Sequence, residues 1–197
     1  MKDQIRVARE SDAGAIQGIY APIVTDTPIS FETEVPTVSE ISDRVKKTLV
    51  QYPWLVYERE GRVIGYAYAG THRTRAAYQW TAEVTVYVDG EFRGNGIGRS
   101  LYGILFESLK KQGYRTAVGG ITLPNPGSVA IHESFGFTRV AVFKSLGFKM
   151  GTWHDVGFWQ LQLQPYINNP PVPVPFPSIA AEFQSRHQRT RNGPTSE

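Results

Sequence analysis

Tyr87-Val88-Asp89-Gly90-Glu91-Phe92-Arg93-Gly94-Asn95-Gly96-Ile97-Gly98 decides how this chain folds. An alternating strand ends at Val88, a short loop follows, and a helix opens at about Gly96. The loop reads Arg93-x-x-Gly96-x-Gly98. Glycines at such a join let the backbone approach a ligand and turn without steric cost. The first N–H groups of the helix point outward, unpaired, at the positive end of its dipole. That arrangement suits a pyrophosphate. Two common phosphate loops do not fit. A Walker A loop ends in Gly-Lys-Ser/Thr, which is absent here. The dinucleotide fingerprint G-x-G-x-x-G fails in register, because its last position counted from Gly94 is Arg99.

Outward from the loop, hydrophobic period and turn chemistry give the remaining elements. Ile5 to Arg9 alternates as an edge strand. Ser11-Asp12 predicts the cap of a helix through Ile16, Ile19, Tyr20 and Ile23, and Thr37-x-x-Glu40 a capping box for a second through Ile41, Val45 and Leu49. Pro53 ends that helix. Trp54 to Glu58 and Val63 to Ala69 form a hairpin with Glu60-Gly61 at its turn, and Thr81 to Val88 is the next strand. After Ile97, residues Leu101, Ile104, Leu105, Ser108 and Leu109 make one helical stripe ending at Gly113. A strand over Thr116 to Ile121, a short helix over Pro126 to Phe135 closed by Gly136, and strands over Thr138 to Leu146 and Val156 to Gln164 complete the order β-α-α-β-β-β-α-β-α-β-β. The expected class is α/β, a mixed central sheet flanked by helices on both faces.

The 197 residues suit one domain with a proper core. After Gln164 the composition shifts. Pro165, Pro170, Pro171, Pro173, Pro175 and Pro177 cannot donate sheet hydrogen bonds. We therefore divide the chain into a domain over 1–164 and a Pro-rich tail over 165–197, partly extended and partly disordered, whose early prolines are free to wrap the domain surface. Cysteine is absent, which excludes a disulfide framework, thiolate metal ligation and a cysteine nucleophile. The N-terminus has no signal-peptide core and no apolar run would span a bilayer, so the expectation is a soluble cytoplasmic protein. A net charge of +3, with Arg186, Arg189 and Arg191 in the tail, is no dense basic stripe of a nucleic-acid binder. It is compatible with small anionic ligands.

The loop resembles the acetyl-CoA loop of the GNAT-type N-acetyltransferases, and the element order is theirs. More specific blocks are co-ordered along the chain: Tyr52-Pro53-Trp54-Leu55-Val56, Ala67-Tyr68-Ala69-Gly70, Trp80-Thr81-Ala82-Glu83, Leu123-Pro124-Asn125, and Gly151-x-Trp153-His154-Asp155-Val156-Gly157-x-Trp159-Gln160. Over about residues 4–164 these resemble the phosphinothricin N-acetyltransferases and their relatives acting on methionine sulfoximine and sulfone. The resemblance implies acetyl-CoA as donor and co-substrate, no metal, a small amino-acid-like amine as acceptor, and a homodimer. It leaves open acetylation of a protein N-terminal amine, and a non-catalytic acetyl-CoA sensor. The sensor would need the loop but not Glu83, Asn125 and His132.

Glu83 is the candidate base. Glu83, Thr85 and Tyr87 share one face of the strand, and Val84, Val86 and Val88 the other. A carboxylate in an otherwise apolar strand is costly unless solvated or paired. It is placed to take the amine proton directly or through water. Asn125, Ser128 and His132 recur at i, i+3 and i+7 along one side of the short helix. The resemblance gives Asn125 to the pantetheine arm. His132 either assists proton removal or orients the acceptor. Main-chain groups of Val86, Tyr87 and Val88 are suited to pairing with pantetheine amides, and those of Gly94, Asn95, Gly96, Ile97, Gly98 and Arg99 to holding the pyrophosphate, with Arg93 and Arg99 adding charge. Tyr102 either protonates the leaving thiolate or simply buries its ring. For the acceptor, Arg73 and Arg75 offer paired donors to oxyanions. Relatives place basic residues and a tyrosine, here Tyr78, around it, although Lys is common where this chain has Arg73. Phe31 would pack on the acceptor's aliphatic part. His154 and Asp155 have neither a serine elbow nor enough ligands to make a triad or a metal site.

Overall fold

The computed structural model describes residues 3–181. Arg186, Arg189 and Arg191 lie outside the described residues. In chain order the elements are β1 (Asp3–Val7), α1 (Ala13–Asp26), α2 (Val38–Leu49), β2 (Trp54–Arg59), β3 (Arg62–Thr71), β4 (Thr81–Val88), α3 (Ile97–Gln112), β5 (Thr116–Leu123), α4 (Pro126–Ser134), β6 (Thr138–Lys149) and β7 (Thr152–Gln162). The order is the one expected, and the class is α/β. Seven strands form one sheet in the order β1-β2-β3-β4-β5-β7-β6. Neighbours are antiparallel except β4 and β5, which are parallel and joined through α3.

The local chemistry accounts for most boundaries. Thr37 and Glu40 close the capping box of α2, with Glu40 N–H donating to Thr37 Oγ1 at 3.2 Å and Thr37 N–H to Glu40 Oε2 at 2.7 Å. Glu60 and Gly61 both take positive φ at the β2–β3 turn. Asp12 departs from expectation. Its carboxylate does not cap α1. It is held by both Arg6 Nη atoms at 2.7 and 2.8 Å and by Arg9 N–H at 2.7 Å. A bidentate guanidinium outcompetes a neutral helix N–H for a carboxylate. The last two strands also differ from expectation. They run on to a tight turn at Met150-Gly151, both with positive φ, so the β6–β7 ribbon extends past the end of β5.

Each face of the sheet has its own core. One is built on α3, whose Leu101, Tyr102, Leu105 and Leu109 are fully buried against Leu55, Ala67, Val84 and Ala117. The other joins α1 and α2, through Ile16, Ile23, Ile41 and Val45, to Trp54, Val56 and Tyr66. Burying such side chains contributes about 1.5–3 kcal/mol each. Residues 165–181 lie along the domain. Phe176 is buried, and Val174 N–H donates to the Gln112 carbonyl at 2.8 Å. Among the described residues no helix is long and apolar enough to cross a membrane.

The sheet forks in the middle. β4 and β5 pair only from Thr81↔Thr116 to Glu83↔Val118. Beyond that, β4 stays with β3 as far as Gly65↔Val88, and β5 with β7 as far as Leu123↔Asp155. Each arm is held by its outer neighbour, so the two can part without losing their ladders.

Candidate active site

The fork opens a cleft of about 500 Å³. Val84 to Val88 of β4 line one wall and Gly120 to Thr122 of β5 the other. The start of α3 and its loop close one end through Arg93, Gly94, Gly96, Ile97, Gly98 and Arg99, and α4 adds Asn125, Ser128, Ile131 and His132. Gly96 is the N-cap of α3 in the left-handed region, φ 76°. This conformation turns the chain into α3, whose first residues Ile97, Gly98 and Arg99 line the cleft.

Several loop side chains are engaged locally. Asn95 Nδ2 donates to the Phe92 carbonyl at 3.2 Å, and Asn95 does not line the cleft. Arg93 Nε donates to the Val88 carbonyl at 3.3 Å. Arg99 Nη1 donates to Ser134 Oγ at 2.9 Å while its guanidinium stacks 5.0 Å from the Phe135 ring. In α4, Asn125 Oδ1 accepts from Ser128 N–H at 3.1 Å. A backbone donor fixes which end of the amide is oxygen, which leaves Nδ2 as the donor for other partners.

His132 is buried, unlike a residue presented on an open helix face. Nδ1 lies 2.7 Å from the Ser128 carbonyl and Nε2 3.1 Å from the Tyr102 hydroxyl. A carbonyl only accepts, so Nδ1 carries the hydrogen. Burial holds the imidazole below its ordinary value, against the opposing pull of the Ser128 hydrogen bond, and favours its neutral form. Nε2 is therefore an acceptor and Tyr102 donates to it. The Tyr102 ring is fully buried beside Phe106 and Phe135, and burial pushes its phenol far up. Gly119 permits the approach, since a Cβ there would collide with the His132 ring.

Glu83 sits at the crotch of the fork, the last residue of β4 that still pairs with β5. Oε2 lies 3.2 Å from His72 Nδ1. Oε1 faces Gly120, 3.7 Å from where a Cβ would stand, and Gly120 lines the cleft. His72 is a site residue that sequence reasoning missed. Tyr78 packs edge-on against it at 6.0 Å. Arg73 and Arg75 are exposed just beyond the end of β3, and neither they nor Tyr78 line the cleft.

Phe31 also lies outside the lining, seated over Gly147 of β6, where a side chain would collide with its ring. Its loop is tied from four elements. Lys149 Nζ donates to the Val24 and Ser30 carbonyls at 2.7 and 2.6 Å. Thr122 Oγ1 donates to the Ile29 carbonyl at 3.2 Å. Tyr20 joins Ser30 and Glu32, and Arg44 clamps Glu32. Ile23 and Ile29 from this side, with Thr85, complete the wall. Among the described residues no group of three or more His, Cys, Asp or Glu side chains is arranged to hold a metal ion.

Comparison with known proteins gives a consistent result. The profile of the acetyltransferase (GNAT) domain matches residues 5–157. The phosphinothricin N-acetyltransferase of Streptomyces viridochromogenes is 41% identical over 171 residues, 87% of this chain and 92% of its own. The L-methionine sulfoximine/L-methionine sulfone acetyltransferase of Salmonella typhimurium is 36% identical over 81% of this chain and 94% of its own. Among solved structures, a GNAT superfamily phosphinothricin acetyltransferase from Sinorhizobium meliloti, in complex with acetyl-CoA, superposes with a TM-score of 0.82 at 31% identity, covering 89% of this chain and 99% of that one.

Proposed function

The chain belongs to the acetyltransferase (GNAT) family, and on that premise we propose that it moves the acetyl group of acetyl-CoA to the α-amine of a small amino acid of the phosphinothricin or methionine sulfoximine/sulfone type. The observation that carries this reading is the forked cleft with the N-terminus of α3 at one end. The fork exposes main-chain groups of Val86 to Val88 to the pantetheine amides, and the turn at Gly94 to Gly98 offers N–H groups to the diphosphate. Asn125 Nδ2 is the α4 donor for the same arm. A protein N-terminal amine is less well supported, because the curated relatives just described act on free amino acids or their analogues.

The amine attacks the thioester carbonyl, the C–S bond breaks, and the thiolate leaves to be protonated. The amine must first lose a proton. A peptide-like α-amine with a reference pKa of about 8 is neutral at pH 7 at a cost of about 1.4 kcal/mol and a free amino acid costs somewhat more, whereas holding two reactants in line is worth roughly 7–11 kcal/mol. Position therefore outweighs the base. Glu83 Oε1 takes the proton. His132 accepts from the buried Tyr102 hydroxyl and borders the cleft beside it. Arg73, Arg75 and Tyr78 recognise the acceptor's anionic end and Phe31 its aliphatic part. The active form is a homodimer and its setting the cytoplasm, with residues 1–164 as the catalytic domain.

The test is free CoA release with phosphinothricin, methionine sulfoximine, methionine sulfone and the ordinary amino acids. Turnover of the first three above the rest supports the reading, and turnover of none of them overturns it. Glu83→Gln lowers kcat by roughly a hundred-fold while calorimetry still detects acetyl-CoA binding. An unchanged kcat removes Glu83 as base. Arg75→Ala raises the acceptor KM more than that of acetyl-CoA, and equal effects on both would count against the anion pocket.

A further inference from the structure

In the β3–β4 register Glu83 stands opposite Gly70, which has no side chain to steady it. Its same-face diagonal neighbours are Tyr68 on one side and, one residue beyond the end of β3, His72 on the other. Tyr68 pairs directly with Thr85, the next residue on the same face of β4. Nδ1 of His72 lies 3.2 Å from Glu83 Oε2, with side-chain exposures of 18% and 41%. The imidazole is the more enclosed partner, edge-on to Tyr78, while Glu83 adjoins the cleft through Gly120 without itself lining it. Oε1 points the other way, at Gly120.

We infer that His72 is a positioning residue for Glu83. A glutamate has three side-chain torsions, and in an open fork a lone carboxylate would sample several orientations. By holding Oε2, the Nδ1–H of His72 selects the orientation that turns Oε1 to the cleft. The proton lost by the acceptor amine passes to Oε1, directly or through one water, and His72 keeps its hydrogen throughout. This inference rests on Glu83 being the base.

His72→Phe keeps a ring against Tyr78 and removes the nitrogen. Asn at the same position restores a donor the same number of bonds from Cβ. The expected result is a loss in kcat of roughly ten- to a hundred-fold for His72→Phe, the scale of a small misplacement of a reacting group, with the acetyl-CoA KM little changed and most of the rate recovered in His72→Asn. Combining His72→Phe with Glu83→Gln adds no further loss, because both act through one group. Wild-type kcat in His72→Phe overturns the inference. So does no recovery in His72→Asn, or a full additional loss in the double variant. Should Glu83→Gln alone leave kcat intact, the base assignment itself fails, and the His72 inference with it. That failure is read in the Glu83→Gln arm alone.

Discussion

At the scale of single residues, His132 makes stability depend on pH. Burial lowers its folded-state value below the ordinary 6.5, partly opposed by its bond to the Ser128 carbonyl. The unfolded chain thus binds the proton more readily than the folded one. The stability it contributes is whole above pH 6.5 and is lost as pH falls from there through the folded value. The carboxylates with lowered values, Asp3, Asp12, Glu40, Glu58 and Asp155, start from 3.8 or 4.5 and act in a more acidic window. The melting temperature of the wild type should therefore fall more steeply between about pH 7 and pH 5 than that of His132→Gln; parallel curves would reject this. The candidate residues were legible in the sequence to different degrees. Glu83 stood out as a charge in an apolar strand, and Asn125, Ser128 and His132 shared a helical spacing. His72 left no such signal. Its link to Glu83 exists only through the pairing of Gly70 with Glu83, a register that the one-dimensional pattern does not contain. Nor did spacing reveal that His132 itself is buried, between the Ser128 carbonyl and Tyr102.

At the scale of elements, the proposed hold on acetyl-CoA falls to the join of β4 and α3, whose geometry depends on Gly96. With φ 76° and ψ 0° that residue sits in the left-handed region, which a residue bearing Cβ enters at about 1–2 kcal/mol. Nothing crowds the position, since a Cβ there meets no atom within 4 Å. The effect of Gly96→Ala is therefore conformational, not steric. If the loop relaxes to a right-handed turn, its N–H groups swing away from the diphosphate. The expected outcome is a Kd for acetyl-CoA raised by about ten-fold, read by calorimetry, with little change in melting temperature; unchanged affinity would show that these amides do not grip the ligand. Elements with strong local signals were legible as sequence: α2 from its capping box, β2–β3 from Glu60-Gly61, α3 from its stripe and Gly113. The far ends of β6 and β7 were not. The residues between Leu146 and Val156 lay outside both expected strands, and the turn that joins them shows only in the positive φ of Met150 and Gly151.

At the scale of the whole molecule, two features complete the domain. The first is the segment after β7. Gln112 Nε2 donates to the carbonyls of both Gln51 and Val174 at 2.7 and 2.8 Å, and Trp80 Nε1 donates to the Pro171 carbonyl at 2.8 Å. With Phe176 buried, the proline-rich stretch straps the ends of α2 and α3 to the start of β4, and Phe176→Ala should cost about 3–5 kcal/mol in chemical denaturation. A value near zero would mean the strap is only laid on. The second is the outer strand. β6 ends the sheet order, so among the described residues one of its edges has no neighbour. Natural edge strands are usually guarded by charge or proline. Here Val140, Phe143, Leu146, Phe148, Met150 and Trp153 are all more than half exposed, with Phe148 and Trp153 paired edge to face at 5.4 Å on the projecting ribbon. Exposed apolar side chains in this number on one ribbon mark an interaction surface. A second copy of the chain is the occupant that the proposed homodimer supplies, and the ribbon also carries Gly147 and Lys149, which seat Phe31 and its loop. Burying these side chains would thus stiffen the acceptor side of the site. Phe148→Asp should shift sedimentation from dimer to monomer and raise the acceptor KM while acetyl-CoA affinity holds. A wild type that sediments as a monomer at micromolar concentration would refute the dimer, and a monomeric variant with unaltered acceptor KM would separate assembly from the site.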